Sequence, residues 1–170
     1  QADYATTCVI YALRRAAGLP TGNTLDYLRA NFERRSGLFI ANPFLVDWLL
    51  ALALQQAPGA ADLRQRLGDE IAAAANEDDT FGRFDIPFST ALAVLSLTAL
   101  GHGLGDSLPQ RAQLRLLDFQ QRDGLWPAAV PFYSTHRLKT APANGAQTLS
   151  PCGQHHALYT YHDTPRIITT

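Results

Sequence analysis

The chain has 170 residues, 46% of them apolar, with 14 basic and 15 acidic side chains and a net charge of −1. That is enough chain for one domain with its own core, and the composition excludes a disordered or fibrous protein. Charge balance without a basic stripe argues against nucleic acid as a partner. No run reaches the roughly 18 apolar residues of a membrane span and no signal peptide is visible, so a cytoplasmic protein is expected. The lack of any methionine leads us to expect a fragment, a processed chain or a trimmed one. Cys8 and Cys152 are too few for a disulfide framework and read as buried thiols.

In chain order, residues 5–17 are apolar around most of three turns and stop at Gly18. Asn23 or Thr24 can cap a helix over 25–34, where Leu25, Leu28 and Phe32 form one stripe. Asn42-Pro43-Phe44 then offers a cap and a proline at the first helical position, where its missing N–H costs nothing. Residues 44–54 are apolar nearly all round, broken only by Asp47 and stopped by Pro58-Gly59, and Leu63, Leu67 and Ile71 mark a narrow stripe on the polar helix that follows. After the loop at 76–80, Ile86-Pro87-Phe88 starts the cycle again; residues 90–100 are apolar all round and Gly101 ends them. Residues 110–121 are amphipathic and run into Gln120-x3-Gly124-x-Trp126. Gly124 is placed to take a left-handed conformation that side chains with a Cβ resist. Trp126 would then fold back, and Gln120 would hydrogen-bond near its ring or near the next helix start.

Three registers agree on a repeat. Gly37, Gly82 and Gly124 are 45 and 42 residues apart, Gly18, Gly59 and Gly101 are 41 and 42 apart, and Pro43 and Pro87 are 44 apart. Each unit pairs a wholly apolar helix, which must be buried, with a one-sided helix, which lies outside. The expectation is an all-α fold, an α/α toroid or an arc of three to four helical hairpins, in a single domain over 1–170 that is incomplete at its N-terminus. A fourth inner helix is expected over 151–162. It comes 64 residues after Pro87, so the long segment 127–149, which has no periodicity, reads as an inserted loop.

The segment 116–126, LLDFQQRDGLW, resembles the QW motif of the terpenoid cyclase and protein prenyltransferase superfamily. Residues 86–101 (IPFSTALAVLSLTALG) look like that family's inner helices, and residues 2–18 are similar to the helix that carries the acidic motif of its protonating cyclases. In the other two clamp positions Glu33 and Asp78 stand where Gln120 stands, and Phe39 and Phe84 stand for the tryptophan. The resemblance implies a six-pair toroid around an apolar cavity for isoprenoid chains, of which this chain supplies the C-terminal part. It implies bound isoprenoid and contact with a membrane surface. It also implies that a missing toroid half, a partner subunit or a second copy covers the open arc, because soluble monomers rarely expose a large apolar patch.

Protonating cyclases of that family keep an aspartic acid protonated in an apolar cavity. The motif's place is taken here by Ala2-Asp3-Tyr4-Ala5, so Asp3 is one catalytic candidate, with a helix cap as its alternative. Asp47, the only acid inside an inner helix, is the other, since a buried carboxylate is costly unless paired. Tyr4, Phe44, Trp48, Phe88, Tyr133, His136 and Tyr159 are candidate substrate contacts, whose aromatic faces could steady a carbocation or simply pack the core. No metal ligands are assigned. Cys152, His155 and His156, with His136 or His162, read as either a metal set or an ordinary polar patch. Asn76-Glu77-Asp78-Asp79 reads as either a Mg²⁺ site facing a diphosphate or a solvated loop. The expected function is an isoprenoid-binding, terpene-cyclase-like domain; the alternative is a helical scaffold or binding module without the acidic motif.

Overall fold

A computed structural model describes residues 3–38, 40–103, 107–129, 132–135 and 158–161. Its helices are α1 (Tyr4–Ala16), α2 (Thr24–Ala30), α3 (Pro43–Leu54), α4 (Ala61–Ala73), α5 (Ile86–Ala99) and α6 (Ser107–Phe119), with a 3-10 turn at Phe32–Arg34. The domain is built from helices, as its periodicity predicts. None among the described residues is long and apolar enough to cross a membrane.

The helix ends follow from local chemistry. Asp3 caps α1, its Oδ1 accepting from the Thr6 N–H at 2.7 Å. Asn42 caps α3 by accepting from the Phe44 N–H at 3.0 Å, and Pro43 opens that helix. Gly18 and Gly101 have positive φ, at 66° and 100°, and close α1 and α5, whereas α3 ends earlier than the expected stop at Pro58-Gly59: Gln55 caps it, Gln56 takes the left-handed conformation at φ 54°, and Gly59 (φ 71°) lies in the following turn.

The contacts make two layers. α3 lies between α1 and α5, while α2 packs on α1, α4 on α3 and α5, and α6 on α5. Between the layers Leu28, Phe32, Leu50, Leu54, Leu67, Ile71, Phe81 and Leu97 are buried to 2% exposure or less. Burying such side chains stabilises by about 1.5–3 kcal/mol each. Among the described residues no buried side-chain nitrogen or oxygen lacks a partner.

Three expectations need correction. The helix expected over 25–34 ends at Ala30 and continues as the 3-10 turn, since Arg35 N bonds back three residues to the Phe32 carbonyl. The inner helix expected over 151–162 does not extend to its end, because Leu158–Tyr161 is a strand, β2. It pairs antiparallel with β1, Phe132–Thr135, with Ser134 opposite Tyr159 and Tyr133 opposite Thr160. The segment 127–149 is therefore not loop throughout. LYTY and FYST carry β-branched and aromatic residues that favour a pleated strand.

Candidate functional site

The two sides of the inner layer differ in chemistry. Apart from Asp47, α3 (PFLVDWLLALAL) and α5 (IPFSTALAVLSLTA) carry no charge. On the side away from the outer helices, Val9, Ile10 and Leu13 of α1 are 39%, 50% and 63% exposed, Leu52 of α3 is 36% and Leu95 of α5 is 49%. Trp48 and Phe88 sit partly buried at the margin of the core, one turn before Leu52 and two turns before Leu95 respectively. Thr6 and Thr98 supply the polar atoms. The result is a partly open apolar surface on three adjoining helices, to which α3 and α5 bring no charge and which Arg14 of α1 borders, exposed one turn after Ile10.

The two candidate acids lie elsewhere. Asp47 follows the periodicity of Ala51 and Leu54, both fully buried, and so faces the outer layer. Its Oδ1 accepts from Arg35 Nε at 2.7 Å, and Arg35 Nη2 donates to Glu70 Oε2 of α4 at 2.8 Å. Arg35 and Arg66 each lie 4.4 Å from the centre of the Phe32 ring, and Arg66 also pairs with Glu33 and Glu70. Burial pushes the Asp47 carboxyl above its ordinary value, and the Arg35 charge and hydrogen bond pull it partly back. Asp3 is the α1 cap, and its second oxygen accepts from the Leu38 N–H at 2.6 Å. Partial burial raises its carboxyl, but the bonds from Thr6 and Leu38 outweigh that and hold it below the ordinary range. A proton donor needs the opposite shift.

The structure also separates the aromatic candidates. Tyr4 is 4% exposed, and its hydroxyl donates to the Leu28 carbonyl at 3.1 Å. Phe44 is 8% exposed and meets Phe81 edge-on at 5.7 Å between ring centres. Both belong to the inter-layer core rather than to the open face, because a residue at the start of an inner helix that points at the outer layer is packed there. Trp48 and Phe88 remain at the open face. Tyr133 and Tyr159 lie in the β1–β2 ladder. His136 falls outside the described residues, as do Cys152, His155, His156 and His162. Cys8 is fully buried, its thiol pushed up to about 12 by burial first and by the charge of Asp3 second.

In the turn that follows α6, Gly124 has φ 83°. The Trp126 indole N–H donates to the Leu116 carbonyl at 2.8 Å, and Gln120 Nε2 donates to the Gly124 carbonyl at 2.6 Å. The preceding turn is built differently from the expected alignment. Asn76, not Asp78, donates to the Gly82 carbonyl, at 3.0 Å. Asp78 Oδ1 accepts from the Thr80 hydroxyl at 2.6 Å, and Phe84 is 70% exposed instead of folding back. The glycine carbonyl is reached from six residues upstream in one turn and from four in the other, and equal-length matching misses this.

The acidic run is already engaged. Arg111 Nε and Nη2 grip the two Asp79 oxygens at 2.7 and 2.8 Å. Hydrogen bonds from Thr80 and from Arg111 hold Asp78 and Asp79 respectively below the ordinary carboxylate range. A Mg²⁺ ion here would have to displace Arg111. Among the described residues no three His, Cys, Asp or Glu side chains form a metal-sized group.

No family model and no curated protein matches the chain. A solved structure of a protein from Actinoplanes is similar, with a TM-score of 0.62 at 25% identity over 74% of this chain. The match spans 39% of that protein's length.

Proposed function

We propose that the chain is an arc of an α/α toroid whose open apolar face holds the hydrocarbon tail of an isoprenoid. The carrying observation is that face: Ile10 and Leu13 of α1, Leu52 of α3 and Leu95 of α5 stay exposed on helices that adjoin, while Asp47, the one charge on α3 and α5, is turned toward the outer layer. Such a wall takes a flexible hydrocarbon by area and shape, with Trp48 and Phe88 adding aromatic contact at its margin. The layered order of α1, α3 and α5 against α2, α4 and α6 and the resemblance of residues 116–126 favour a toroid of the terpenoid-cyclase kind.

The test is titration with farnesyl diphosphate, geranylgeranyl diphosphate and geranylgeraniol, followed by thermal shift and by the fluorescence of Trp48 in a Trp126→Phe background. Saturable binding is expected. Leu95→Glu and Leu52→Glu should each weaken it at least tenfold, with the helical circular dichroism unchanged. If no isoprenoid shifts either signal, the reading is wrong.

A second reading, a binding module without turnover, is favoured by the placement of Asp3 and Asp47, one a cap and the other a buried ion pair. A search for hydrocarbon products, with and without Mg²⁺, separates the two. Binding without product favours the module; product that vanishes in Asp47→Asn favours the enzyme.

A further inference from the structure

We draw no further inference here: the strongest candidate, the exposed uncharged flank of α6 formed by Gln110, Gln113, Leu114 and Leu117, is an unpartnered face among the described residues and nothing in the structure shows what covers it.

Discussion

The two sides of α3 place opposite demands on one helix. Toward the outer layer, Asp47 sits among Leu50, Ala51 and Leu54, and its charge is answered by Arg35, which in turn reaches Glu70. Toward the open side, Trp48 and Leu52 keep contact with solvent. Polarity on α3 is therefore spent on fixing how the layers sit together, and the opposite side is apolar. An acid inside an apolar helix is usually suspected of chemistry, but here its direction makes it a fastening.

The largest effect is expected from breaking that fastening. Arg35→Met leaves Asp47 buried without its cation and should destabilise by about 3 kcal/mol at pH 7, the low end for a broken buried pair. The sign of the pH dependence follows from the raised carboxyl. A folded-state pKa above the unfolded value of about 3.9 gives a contribution that is whole below the unfolded pKa and lost as pH rises through the folded one. Removing Arg35 raises that pKa further, so the penalty should shrink on acidification from pH 7 toward pH 5, and Asp47→Asn should relieve it at pH 7. Urea unfolding of the single and double variants measures both. An equal penalty at the two pH values would mean that lost packing on Phe32, not charge, is what Arg35 supplies.

The next contrast is between neighbours in sequence. Leu50 is fully buried and Leu52 is 36% exposed. Leu50→Ala should cost about 3 kcal/mol through the cavity it leaves, whereas Leu52→Ala should cost about 0.5 kcal/mol, as at a surface position. Isoprenoid binding should move the other way, weakened by the Leu52 change and kept by Leu50→Ala at temperatures where it stays folded. Similar stability losses would show that the open face is covered in solution.

Much of this architecture can be read without coordinates, because it depends on short-range physics. The stops at Gly18 and Gly101, the Asn42-Pro43 start and the all-round apolar character of α3 and α5 each need only a few adjacent residues. What escaped the sequence depends on partners far along the chain. Nothing near Asp47 announces Arg35, 12 residues before it, or Glu70, 23 after it. Period counting places Tyr4 and Phe44 on inner helices but does not say which side they face. The pairing of Phe132–Thr135 with Leu158–Tyr161 spans a segment whose composition suggests only loop.

The two turns that reach a glycine carbonyl give a smaller contrast. Trp126→Phe removes the indole bond to Leu116 while keeping a ring, and Gln120→Ala removes the bond to Gly124. Each should cost about 1 kcal/mol. Asn76→Ala should match them, although no tryptophan accompanies it, whereas Phe84→Ala should be nearly neutral because that ring is exposed. Thermal unfolding of the four variants ranks them. A costly Phe84→Ala would restore the idea that the two turns are built alike.

A small effect at neutral pH is also expected at Asp3, and it bears most directly on chemistry. The carboxyl is held low by its bonds to Thr6 and Leu38, so its stabilisation is present above the unfolded pKa and lost as pH falls through the folded one. Asp3→Asn keeps one side-chain acceptor for the cap but loses the charge and one of the two bonds, because its amide nitrogen cannot accept from Leu38, which should cost about 1 kcal/mol at pH 7. Wild type should lose that margin on acidification below about pH 4, and the variant should not. A cap with this titration stays ionised at neutral pH and has no proton to give an alkene. If the chain does make a cyclised product and Asp3→Asn abolishes it without moving the melting temperature, the residue must change protonation once ligand covers the end of α1. The same titration repeated with bound geranylgeranyl diphosphate would show that change as an upward shift.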